Sequence, residues 1–166
     1  MRRADTEELQ RFSKLVWNSE IWRVNVNIEH RFEKGYSPSH LDSLQLDFRR
    51  PLAVPGKIVK HRQIGSLWID VNNCGLRLER REELVVAWDS REKVLDEYSK
   101  LVGNTLSRIE ITPPAGDTAF ILEDGVTLRC FVAAGHQGNI WRITSIDDDE
   151  LLLGPGARWS YRSALR

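Results

Sequence analysis

Two cysteines, Cys74 and Cys130, are all that the 166 residues contain, and they provide neither a disulfide framework nor the four-cysteine spacing of a zinc site. Both read as reduced, half-buried strand residues. No apolar run approaches the roughly 18 residues of a membrane span, and Met1 leads into a charged stretch of helical pattern instead of a signal peptide. A cytoplasmic location with no membrane contact is the expectation. Charge of one sign is lacking too. With 24 Lys plus Arg against 24 Asp plus Glu, the strongly basic signature of a dedicated nucleic-acid binder is missing, and partners must be sought in local patches.

Familiar catalytic motifs are also absent. The chain has no Gly-x-Ser-x-Gly nucleophile elbow, no P-loop and no Gly-x-Gly-x-x-Gly dinucleotide turn. The histidines, at 30, 40, 61 and 136, show no i, i+4 pair and no neighbouring cysteine. No catalytic residue, metal site or cofactor follows from the sequence. Hydrophobic residues at 41% and charged residues at 29% describe one globular domain over residues 1 to 166. A chain of this length buries roughly 70% of its unfolded surface, so its core needs no metal or disulfide.

Periodicity gives the elements. Residues 5 to 17 set Leu9, Phe12, Val16 and Trp17 at helical spacing, with Asp5 as N-cap and Glu8 completing a capping box. From Trp22 the period is two: Trp22, Val24, Val26, Ile28 and Phe32 share one face, and Arg23, Asn25, Asn27 and Glu29 the other. After turn chemistry at 35 to 39, Leu44, Leu46 and Phe48 alternate again, which predicts an antiparallel pair with a long loop. Residues 67 to 71, 76 to 78 and 84 to 88 read as a meander turning at Asn72-Asn73-Cys74-Gly75. Asp89 is the expected N-cap of a second helix, with Glu92 at the capping-box position, an apolar side of Val94, Leu95, Tyr98, Leu101 and Val102, and a stop at Gly103.

A second meander follows, from Leu106 to Ile111, Ala119 to Leu122 and Val126 to Val132, with its last turn at Asp124-Gly125. Ile69-Asp70-Val71 matches Ile109-Glu110-Ile111, and residues 76 to 79 match 120 to 123, so the β-rich halves suggest an internal duplication. Shorter strands are expected around Ile140-Trp141, Leu151 to Leu153 and Trp159. The fold expected is α+β: about nine to ten mainly antiparallel strands with two helices.

Three clusters bear on function. Asp147, Asp148, Asp149 and Glu150 form the densest charge run and lack the Asp-x-Asp-x-Asp-Gly spacing of a calcium loop. They are either a solvated hairpin tip or a negative loop that steers a basic partner. Residues 49 to 62 are the basic counterpart, where Arg49, Arg50, Lys57, Lys60, His61 and Arg62 offer phosphate contacts with Trp68 or Tyr36 as a stacking surface. Trp159 lies between Arg158 and Arg162, the composition of an interface anchor, although a terminal strand packing its tryptophan on the sheet accounts for it too. A further alternative is a small enzyme whose site gathers His136, His61, Glu123 and Asp124 from distant positions.

Residues 101 to 159 resemble a known group. The segments Leu101-Val102-Gly103-Asn104-Thr105-Leu106, Phe120 to Leu128, Trp141-Arg142-Ile143 and Gly154-Pro155-Gly156 are similar to small bacterial domains associated with polymorphic or contact-dependent toxin immunity. That resemblance implies a non-enzymatic protein that occludes a cognate, basic toxin domain by surface complementarity. Its expected binding residues are Asp147, Asp148, Asp149, Glu150, Arg158, Trp159 and Arg162. Nucleic acid is not the expected partner, and no oligomeric state follows.

Overall fold

The computed structural model describes residues 2–3, 12, 14, 16–29, 40–48, 67–72, 74–87, 90–112, 116–132, 139–145, 149–154 and 156–162. The strands are β1 (Arg2–Arg3), β2 (Ser19–Glu29), β3 (His40–Phe48), β4 (Leu67–Asn72), β5 (Cys74–Arg80), β6 (Glu83–Val86), β7 (Thr105–Thr112), β8 (Asp117–Leu122), β9 (Val126–Val132), β10 (Trp141–Ser145), β11 (Glu150–Gly154) and β12 (Arg158–Arg162). Every pairing is antiparallel, in the order β1-β12-β11-β10-β4-β3-β2-β7-β8-β9-β5-β6. The sequence predicts nine or ten strands; twelve are present among the described residues.

This continuous sheet is folded over on itself. Along the sheet its two arms are joined where Ser19 and Glu20, the first residues of β2, pair with Leu106 and Thr105 of β7. Alternation along each strand gives each arm one apolar face. Leu44, Leu46 and Phe48 of β3 and Ile69 and Val71 of β4 join Phe120, Leu128 and Leu78 from the other arm in a single buried cluster. Two layers packed face to face result, as in a sandwich.

Trp141 ties the layers together. It is 1% exposed, meets Phe120 of β8 edge to face at 5.5 Å, and meets Trp159 at 5.1 Å and 86°. Its indole N–H donates to the Thr118 hydroxyl at 3.0 Å, and that hydroxyl donates to the Gly116 carbonyl at 2.9 Å. Gly116 has φ +91°, and a Cβ there would stand 3.1 Å from the Ile140 Cδ1. Only glycine fits that corner without strain.

Helix α1 (Arg91–Ser99) is capped by Ser90, whose hydroxyl accepts from the Lys93 N–H at 3.4 Å. The cap therefore lies one residue beyond the expected Asp89, which is outside the described residues. Val94, Tyr98 and Leu101 are buried, whereas Leu95 and Val102, expected on the same apolar side, are exposed. A helical face only wide enough for positions 94, 98 and 101 touches the sheet. After the helix Gly103 takes φ +89°, and its N–H donates to the Ile21 carbonyl at 2.8 Å. In the segment expected to form the first helix, Phe12, Lys14 and Val16 are helical, with Phe12 and Val16 fully buried. Asp5 and Leu9 lie outside the described residues, and Trp17 sits in an exposed turn.

Residues 67 to 88 do not form a meander: β4 pairs with β3 and β10 in one arm, while β5 pairs with β6 and β9 in the other. Both sides of β4 are taken, so the chain crosses between layers at Asn72–Cys74 instead of turning back. Residues 105 to 132 do form the predicted meander. The two segments thus differ in topology, and the suggested duplication loses its structural counterpart.

Candidate protein-binding face

The outward face of the β2–β3–β4–β10–β11–β12 arm carries an ordered band of charge. Register places Arg23, Asp47, Trp68, Thr144, Glu150 and Arg162 in one row across six strands. The neighbouring row holds Asn25, Gln45, Asp70, Arg142, Leu152 and Ser160. Alternation in β2 and β3 requires polar residues here, because Val24, Leu44 and Leu46 occupy the opposite face.

Opposite charges interlock along both rows. The Arg23 Nε donates to Asp47 Oδ2 at 2.6 Å, and Gln45 donates to Asp47 Oδ1 at 2.8 Å. Arg142 spans two strands, donating to Asp70 at 2.8 Å and to Glu150 at 3.4 Å, and the Arg162 Nη1 stands 3.0 Å from the other Glu150 oxygen. Asp47 is fully buried. Burial drives its carboxyl above the usual range, and the Arg23 and Gln45 bonds offset only part of that effect. The arginines stay wet: the side chains of Arg142 and Arg162 are 43% and 57% exposed, against 13% for Glu150. Carboxylates thus form the floor of the band and guanidinium groups its surface.

The residues expected to bind a partner are divided by this geometry. Asp147 and Asp148 lie outside the described residues. Asp149 is in the turn before β11, where its carbonyl accepts from the Ser145 N–H at 3.0 Å. Glu150 belongs to β11 and is held by two guanidiniums, so it is no free acid on a protruding loop. Arg158 and Arg162 face outward and are exposed. Trp159 points the other way, opposite Leu153 and stacked on Trp141. Arg158 and Arg162, four positions apart in one strand, share a face, and Trp159, at an odd offset from both, takes the opposite one. The plainer account of Trp159, a terminal strand packing it on the sheet, describes its placement.

The band also contains residues that sequence reasoning did not single out, namely Arg23, Asp47, Asp70 and Arg142. Their signal was the alternation of charge within strands, legible only once strand order is known. Of the dispersed residues considered for an enzyme, Glu123 and Asp124 are exposed at the β8–β9 turn. His61 and His136 lie outside the described residues, as does the basic segment 49 to 62. Among the described residues no group of three or more His, Cys, Asp or Glu side chains is arranged to hold a metal ion, and no helix is long and apolar enough to cross a membrane. No family model matches the chain, and no curated protein or solved structure matches it.

Proposed function

We propose that this chain is a protein-binding module acting through the charged outer face of the β2–β12 arm, with an immunity protein that occludes a toxin as the specific form of that reading. The observation that supports it most is the band itself. Guanidinium groups anchored by carboxylates beneath them are pre-organised to donate to carboxylates or backbone carbonyls of a partner at small entropic cost. Asp149, just before β11, adds an opposite charge for orientation.

The test uses the product of the gene adjacent to this one as the candidate partner, with binding followed by biolayer interferometry at several salt concentrations. Arg142→Gln with Arg162→Gln should raise the dissociation rate at least tenfold. Neutralising Asp147, Asp148 and Asp149 to Asn should slow association and flatten its salt dependence. Wild-type kinetics in both variants, with the fold intact by circular dichroism, would remove the face from consideration. The dispersed-site enzyme and the basic 49 to 62 segment gain no specific support from the described residues.

A further inference from the structure

Cys74 is the first residue of β5, and Cys130 lies near the end of β9. Register pairs Cys74 with Val132 and Leu76 with Cys130, so the two cysteines are diagonal neighbours on the inward face. Neither is in a disulfide; Cys74 is half-buried and Cys130 fully buried. Cys130 and Tyr98 of α1 belong to the same buried cluster, and Cys74 packs against it. These are the only two thiols of the chain, 56 positions apart in sequence, brought together by the β5–β9 pairing.

We propose that Cys74 and Cys130 form a reversible dithiol–disulfide pair, with Cys74 as the entry thiol and Cys130 as the resolving thiol. The partial exposure of Cys74 and the burial of Cys130 set that order, since a small oxidant reaches only the first. The Cys74 thiolate attacks one sulfur of a low-molecular-weight disulfide and expels the first thiol. Cys130 then loses its proton and attacks the Cys74 sulfur, expelling the second. One small-molecule S–S bond and two protein S–H bonds are consumed. One protein S–S bond and two small thiols appear, and the electron pair passes to the oxidant.

Position and strain make the pair reversible. Diagonal partners stand roughly 7–8 Å apart between Cα atoms, wider than the usual disulfide span of about 4.4–6.8 Å. Closure therefore requires the start of β5 to move. Cys74 is the first residue of β5, so the displacement falls at the end of the β5–β9 ladder, where Cys74 pairs with Val132. A disulfide formed against that displacement is easily reduced. Burial holds the Cys130 thiol well above its ordinary range, with neighbouring Cys74 and the charge of Asp117 acting in the same direction. The resolving step is accordingly the slow one.

The experiment incubates the native, full chain with oxidised glutathione, quenches with acid and maps unreduced peptides by mass spectrometry. The expected product is a peptide pair joined through Cys74 and Cys130, with both free thiols lost in a denaturing titration and both recovered on reduction. Cys130→Ser should stop at a glutathione adduct on Cys74, and Cys74→Ser should remain unmodified while folded. A wild-type chain that keeps a stable Cys74 adduct beside a free Cys130 overturns the proposal. So does a dimer bridged through Cys74, or no reaction at all. The wild-type map decides on its own if either serine variant fails to fold.

Discussion

The Trp141–Thr118–Gly116 relay makes a quantitative claim about what joins the two layers. Thr118 is 2% exposed and Trp141 1%, so no water replaces a lost partner at either position. Thr118→Val keeps the shape but removes the acceptor of the indole N–H and the donor to the Gly116 carbonyl. A buried polar group left unpaired costs about 1–3 kcal/mol, so the substitution should destabilise the fold by roughly 2–3 kcal/mol. That is a large share of the roughly 5–15 kcal/mol that holds a domain together.

Trp141→Phe separates the hydrogen bond from packing. It removes the N–H, so in that background Thr118→Val has one fewer partner to strand. The double-mutant cycle should return a coupling of about 1–2 kcal/mol, with Thr118→Ser close to wild type. Urea unfolding followed by far-ultraviolet circular dichroism measures all four corners without relying on tryptophan fluorescence. A single-mutant cost below about 0.5 kcal/mol, or strict additivity, would refute the claim that this bond carries the inter-layer contact.

Three other substitutions test separate features. Thr144 is 4% exposed and its hydroxyl oxygen has no hydrogen-bond partner among the described residues, so Thr144→Val should raise stability by about 1 kcal/mol in urea unfolding; a loss of that size would mean the hydroxyl is satisfied in solution. The β5–β6 turn places Arg81 and Glu82 at φ 50° and 69°, a conformation that costs non-glycine residues roughly 1–2 kcal/mol each, so Arg81→Asn with Glu82→Gly should raise the thermal midpoint. Asp47 and Glu79 should give pH dependences of opposite sign, read as wild-type stability relative to Asp47→Asn and Glu79→Gln between about pH 3 and pH 7. Burial leaves Asp47 raised, so its penalty, present above its folded pKa, is relieved as pH falls through that value. Burial also pushes Glu79 upward, but Arg129 and Arg77 outweigh it; the lowered carboxyl therefore contributes stability above its unfolded pKa that is lost as pH falls through its folded one. Parallel pH profiles for the two pairs would contradict the assignment.

Strand positions were legible because alternation is a local property. The β7–β8–β9 meander follows from its turns: Asp124 at φ 63° and Gly125 at φ 74° take the left-handed conformations that an Asp-Gly hairpin favours. Strand partners were less legible. Asn72-Asn73-Cys74-Gly75 carries the composition of a hairpin turn and serves as a crossing between layers, a choice made by β3, β10 and β9 from far along the chain. The β5–β6 turn bears Arg81-Glu82 where a tight hairpin favours Asn-Gly, so turn chemistry pointed away from the turn that matters there. Trp159 was ambiguous for a different reason. Its neighbours are polar because they belong to the opposite face of the same strand, and a window of sequence does not separate faces until the strand is recognised.

The same alternation changes the electrostatic meaning of the acidic run. Read linearly, Asp147 to Glu150 is a single patch of four negative charges. In the fold the run is cut at the start of β11: Asp149 belongs to the turn, while Glu150 enters the sheet and is shared by Arg142 and Arg162. Its charge is spent internally, and removing it exposes two guanidiniums instead of neutralising an acidic loop. Glu150→Gln therefore makes the face more positive at short range, and Asp149→Asn makes the adjoining turn less negative. A basic partner should lose affinity in both variants, through repulsion in the first and lost steering in the second. An acidic partner should gain in both. The sign of these paired responses thus reports the charge of whatever binds this face, and it does so without depending on which protein the partner is.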